Sequence, residues 1–221
     1  MHMPATVRTP SYQYPQTAGS PAIFGATELP SVPMSFAKDA EIYGENEPAE
    51  YVYKVLSGAV RVSKVLQDGR RQIEAFYFAG DVFGMEFSPD HLSSAEAISP
   101  VSIIMVKRST LLQHAERDAQ IAKQLWQHTA QELEHARRHA MLLVKTAQER
   151  VASFLVGISA RLVNGSVELP MSRQDIADYL GLTIETVSRT LTLFQKTSAI
   201  EFATSRRMIV RNKQALINLD S

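Results

Sequence analysis

The sequence predicts an α+β fold in three working parts: an antiparallel β-roll, a long helix and a carboxyl-terminal winged helix–turn–helix. Three observations predict it. Short Val, Ile, Tyr and Phe stretches broken by Gly fill residues 35–109, small and apolar residues recur at intervals of three and four across 119–147, and two short amphipathic segments meet at Gly181. The boundaries read as an arm over 1–34, the roll over 35–109, the helix over 110–148 and the terminal domain over 149–221. At 221 residues and 45% hydrophobic content, the chain carries enough apolar surface for two modest cores.

The arm holds Pro4, Pro10, Pro15, Pro21, Pro30 and Pro33, six of the ten prolines, and shows no periodicity, so no packed structure of its own is expected there. In the roll, "EYVYKVLSGAVRVSKVLQDGRRQIEAFYFAGDVFG" alternates at Tyr51, Tyr53 and Val55, breaks at Ser57-Gly58, resumes at Val60 and Val62, and turns at Asp68-Gly69. "AISPVSIIMVKR" supplies a closing strand. Several short strands at such spacing predict a small sandwich or roll.

After Arg108 the pattern becomes helical for roughly fifty residues. Ala119, Ala122, Trp126, Thr129, Leu133, Ala136, Ala140, Leu143 and Ala147 form a heptad seam. A core of this size needs no helix so long, so the seam from Ala122 to Ala147 is expected to meet a second copy of the chain. Ala136 and Ala140 would allow close approach, with Glu132, Glu134, Arg137 and Arg138 left in solvent.

"NGSVELP" reads as a turn and a short strand before the corner formed by "MSRQDIADYLGLTIETVSRTLTLFQKTSAI". Ser172 begins a helix with Asp175 three residues on, an approximate capping box. Ile176, Ala177 and Leu180 make its inner face, Gly181 permits the turn, and Thr183 caps the next helix. There Val187, Leu191 and Phe194 must point inward, which puts Glu185, Ser188, Arg189 and Thr192 together on the opposite face. Such a face suits the major groove: Arg donates twice to guanine, Glu accepts from a base amino group, and a short side chain meets a thymine methyl. The bland alternative is a surface ion pair between Glu185 and Arg189 worth about 0.3–0.5 kcal/mol. Ile184 either continues the inner face or touches a thymine methyl.

"IEFATSRRMIVRN" then gives two strands around a basic tip, completing a winged helix. Phosphate contacts are expected from Ser172, Arg173, Thr183, Thr186, Lys196, Arg206 and Arg207. The net charge of zero divides unevenly: residues 150–221 hold 9 Lys and Arg against 6 Asp and Glu, a lean toward a polyanionic partner.

With no cysteine, a structural disulfide, a thiol nucleophile and a cysteine-held zinc or iron–sulfur centre are excluded for this sequence. No phosphate-binding Gly loop, nucleophile elbow or zinc signature appears, so an enzyme is not expected. The apolar runs are too short to span a membrane and no export leader is evident, which leads to an expected cytoplasmic location.

Over about residues 35–215 this layout resembles the CRP/FNR family of bacterial transcription regulators, through "AGDVFG", "QERVASFL", "MSRQDIADYLGLTIETVSRTL" and the wing. "ETVSR" is similar to the recognition motif of the FNR and FixK branch, which implies that Glu185, Ser188 and Arg189 read a TTGAT-type half-site. The CRP branch usually carries Arg in place of Ile184 and Gly in place of Ser188, so a TGTGA-type site is not implied. A nucleotide pocket of this family expects an arginine for the cyclic phosphate, yet Gly84-Met85-Glu86 leads into "FSPDHLSSAEA" and no arginine lies between Arg71 and Arg108. The resemblance therefore implies a homodimer without a bound cofactor. It would bind double-stranded DNA, act with RNA polymerase, and activate microaerobic, nitrogen-fixation or denitrification genes. A haem-sensing member of the family is the rival reading, with His91, His114, His128, His135 and His139 as the available ligands and His135/His139 the one pair at metal-ligand spacing.

Overall fold

The computed structural model describes residue 23 and residues 29–159, 166–204 and 206–220. Eight strands make the roll: β1 (Val32–Phe36), β2 (Glu41–Tyr43), β3 (Tyr51–Ser57), β4 (Ala59–Val65), β5 (Arg71–Phe78), β6 (Val82–Phe83), β7 (Ser94–Ala97) and β8 (Val101–Lys107). They pair antiparallel in two sheets, ordered β1-β8-β3-β6 and β2-β7-β4-β5. Strand alternation sends Tyr53, Val55, Val60 and Val62 between the sheets, where they pack with Tyr43, Phe83, Val101 and Ile103. Val52, Ile104 and Val106 point the other way, onto Leu111 and Ile121. Cover on both faces explains why β8 reads as a nearly unbroken apolar run. Gly84 follows β6 with φ +77°, and a Cβ there would lie 2.6 Å from the Tyr53 ring. Only glycine lets the chain pass that ring.

The arm is more structured at its end than the prolines suggest. Val32–Phe36 forms β1, paired with β8, and Ile23 and Leu29 are buried against the outer face of that sheet. Pro33 is compatible because β1 is an edge strand, where a missing N–H costs no ladder bond on the open side. The remainder of the arm lies outside the described residues.

The single helix expected over 110–148 is divided. The segments are α1 (Arg108–Arg117), α2 (Ala119–Leu142) and α3 (Ala147–Ser159). Asp118 is extended, and its side chain accepts from the N–H groups of Gln120 and Ile121, so it ends one helix and caps the next. Thr146 and Glu149 exchange side-chain bonds with each other's backbone N–H, a capping box that starts α3. The seam is continuous through α2 alone, a helix about 36 Å long. Leu143 falls at the cap after it, and Ala147 opens α3.

The terminal domain adds β9 (Ser166–Glu168), α4 (Arg173–Leu180), α5 (Ile184–Lys196), β10 (Ile200–Phe202), β11 (Arg207–Val210) and α6 (Lys213–Asp220). The strands form a sheet in the order β10-β11-β9. Ile176, Ala177, Leu180, Val187, Leu191 and Phe194 are all buried, as their spacing requires. Asn164 and Gly165, read as a turn, lie outside the described residues, as does Ser205 at the wing tip. Among the described residues no helix is long and apolar enough to cross a membrane.

The capping box at α4 is complete: Ser172 Oγ accepts from the Asp175 N–H at 3.0 Å, and Asp175 Oδ2 accepts from the Ser172 N–H at 2.9 Å. Ser172→Ala is expected to cost about 1 kcal/mol. In a chain of this size that lowers the melting temperature by roughly 2–4 °C, which a thermal melt followed by circular dichroism would register.

Candidate nucleic-acid interface

The corner between α4 and α5 is built by Gly181, whose left-handed backbone (φ 61°, ψ 41°) ends α4 while its N–H donates to Ala177 O. The Leu182 N–H donates to the same carbonyl at 3.0 Å. Arg150 of α3 braces the turn by donating to Leu180 O at 2.9 Å. Thr183 then caps α5, accepting from the Thr186 N–H at 3.3 Å, and the two threonine hydroxyls lie 3.1 Å apart.

On α5 the inner residues Val187, Leu191 and Phe194 anchor the helix, and Glu185 and Arg189 are exposed on the outer face with Ser188 between them, half-buried. Among the described residues no ion pair joins Glu185 to Arg189. Arg189 instead donates weakly to Thr186 Oγ1 at 3.4 Å. The guanidinium fork is thus left almost entirely available, and the bland ion-pair reading is not realised. The Glu185 carboxyl is held below the usual glutamate range by its own N–H and the Thr183 hydroxyl, with a smaller pull from the Arg189 charge, so it is an acceptor at neutral pH. Ile184 is partly exposed beside Glu185, not buried with the inner face.

The residues expected to meet phosphates fall into groups. Thr183 and Thr186 ring the amino terminus of α5, where N–H groups and the helix dipole favour an anion. At α4, Ser172 has its hydroxyl engaged in the cap, while Arg173 is half-buried with its guanidinium 5.3 Å above the Phe202 ring. Arg206 and Arg207 are exposed on the wing, the Arg207 Nε donating to Ser166 Oγ at 3.3 Å. Lys196 stands at the far end of α5, about 18 Å along the axis from Ile184.

The histidines of the rival reading are scattered. His91 is buried and stacked on Tyr43, with ring centroids 3.6 Å apart. His139 donates from Nε2 to Tyr179 O at 2.8 Å, so the His135/His139 pair does not converge on a common point. A different set carries no motif in the sequence: Arg61 and Arg71 of the roll reach across to Asp175 and Asp178 on α4. Contacts spanning more than a hundred positions leave no local sequence signal.

A Crp-like helix-turn-helix domain matches residues 149–219 and a cyclic nucleotide-binding domain matches residues 33–118. The nitrogen fixation regulation protein FixK of Azorhizobium caulinodans is 50% identical over 196 residues, covering 86% of this chain and 79% of that protein. The structure of FixK2 from Bradyrhizobium japonicum superposes with a TM-score of 0.84 at 53% identity, covering 87% of this chain and 98% of that one. A CooA mutant from Carboxydothermus hydrogenoformans shares the fold at TM-score 0.73 and 23% identity, covering 86% of this chain and 88% of that one. With an α+β fold of antiparallel roll, long helix and helix–turn–helix, and with these relatives, the chain belongs to the FixK-like branch of the CRP/FNR family of DNA-binding transcription regulators.

Proposed function

We propose that this chain is a homodimeric transcription activator that binds TTGAT-N4-ATCAA-type inverted repeats with no bound effector. The carrying observation is the face of α5, where Glu185 and Arg189 stand exposed beside Ser188, unpaired with each other, above a fixed amino-terminal turn. Each subunit would place α5 in one of two successive major grooves, about 34 Å apart. Arg189 would donate to guanine, Glu185 accept from a base amino group, and Ser188 and Ile184 lie against thymine methyls, while Thr183, Thr186, Arg206 and Arg207 fix the register on phosphates.

Dimerisation is supported by the outer face of α2. Trp126 and Leu133 are 74% and 53% exposed in the single chain, and Thr129, Ala136 and Ala140 are exposed beside them. The neighbouring face of the helix is already used: Ile121 is buried, and Glu132, expected in solvent, accepts from the Tyr77 hydroxyl at 3.0 Å. Independence from an effector is supported by the roll interior, where Tyr43, Tyr53, Phe83 and His91 stack on one another between the sheets. No arginine between Arg71 and Arg108 is available for a cyclic phosphate.

Bound at a promoter in the cytoplasm, the dimer would present its surface to RNA polymerase. The names of its relatives favour nitrogen-fixation genes as its targets. The test is fluorescence anisotropy at fixed, stated salt, with TTGAT-N4-ATCAA against a TGTGA palindrome and no additive. Selective binding to the first supports the reading. Equal binding to both overturns the assigned base contacts.

A further inference from the structure

Asp175, read from sequence as a helix-capping acid, has a second set of partners. Its Oδ2 accepts from the Ser172 N–H and hydroxyl, while its Oδ1 accepts from Arg61 Nη1 at 2.9 Å and Arg71 Nη2 at 2.7 Å. Arg61 lies on β4 and Arg71 on β5, two paired strands of the roll. Arg61 Nε also donates to Glu96 Oε2 at 3.0 Å, and Arg71 Nε to Asp178 Oδ2 at 2.8 Å. The Asp175 side chain is 5% exposed and that of Arg61 13%. Burial alone would raise the Asp175 carboxyl, but Ser172 and the two arginines outweigh it and hold it below the ordinary aspartate range.

We propose that Arg61 and Arg71 are positioning residues: together they key the roll onto Asp175 and Asp178 of α4 and so hold the recognition helix α5 at one place relative to α2 without any ligand. A buried carboxylate with both oxygens occupied by directional donors tolerates few placements, because a shift that breaks one bond leaves a charge unpaired away from water. Such networks act more through geometric uniqueness than through net stability. Further contacts point the same way. His139 of α2 donates to Tyr179 O and stacks on the Tyr179 ring at 4.3 Å, Phe76 of β5 lies 5.4 Å from that ring, and Arg150 locks the turn that joins α4 to α5. Fixing α4 therefore fixes α5. A regulator whose fold carries this latch needs no effector to set the separation of its two reading helices.

The inference rests on the dimeric palindrome reading, and one experiment separates the two. Arg71→Gln leaves Asp175 paired with Arg61, which limits the risk of unfolding, and Arg71→Lys restores one charge without the fork. Each is compared with the unaltered chain on inverted repeats whose spacers run from two to six base pairs and on a single half-site. The latch predicts that Arg71→Gln loses affinity for the four-base-pair spacer on the order of tenfold. Its preference among spacers flattens, half-site binding is unchanged, and Arg71→Lys is intermediate. A purely stabilising role would lower the active fraction on every duplex alike and keep the preference, and that result overturns the latch. If the unaltered chain shows no spacer preference, the palindrome reading falls and the latch falls with it.

Discussion

Arg189→Ala is expected to abolish selective binding to the TTGAT-type palindrome while leaving the fold intact. A bidentate arginine–guanine pair discriminates by about 1–3 kcal/mol, and a dimer makes two, so affinity should fall by roughly 30-fold to 20,000-fold. Stability should hold because the side chain is exposed and its one bond, to Thr186, is long. Arg189→Lys should not rescue, since an ammonium cannot reproduce the fork. The informative contrast is Arg206→Ala on the exposed wing. Loss of a phosphate contact weakens binding to all sequences alike and reduces the salt slope by about one per contact, whereas loss of Arg189 changes which sequence is preferred. Anisotropy titrations at two or more salt concentrations separate the two signatures.

The second large effect concerns α2. Trp126→Glu and Leu133→Glu each place a charge on the outer face of a helix whose other face is occupied by the roll. Burying a large apolar side chain contributes about 1.5–3 kcal/mol, and two-fold symmetry counts each position twice, against the entropy of association. The double variant should sediment as a monomer with unchanged helix content and bind the palindrome no better than a single half-site. A double variant that still sediments as a dimer would place the interface elsewhere.

The parts of the fold that local rules govern were legible. Alternation located the strands around Tyr53 and Val60, glycine marked the corner at Gly181, and three-and-four spacing separated the inner Val187, Leu191 and Phe194 from the outer Glu185, Ser188 and Arg189. The interruptions of the long helix were hidden for a definite reason. Asp118 and Thr146-Ala147-Gln148-Glu149 carry ordinary capping chemistry, but they fall at the two ends of the seam, where one unbroken helix from Arg108 onward absorbs them. Read first for caps and only then for periodicity, the sequence would have yielded both breaks. The edge strand β1 was concealed by Pro33, which composition assigns to an unstructured arm although an edge position tolerates it. No local rule would have brought Arg61 and Arg71 to Asp175, because that contact depends on how the roll and the terminal domain meet.

A dimer of this chain alone is expected to read a two-fold DNA site without an effector. Selection of bound duplexes from a random library by the purified protein, with no nucleotide, haem or reductant added, tests it most directly. Enrichment of inverted TTGAT half-sites separated by four base pairs is the expected result. Enrichment that appears only after cyclic nucleotide, haem or reductant is supplied, or that yields a single unpaired half-site, would contradict it.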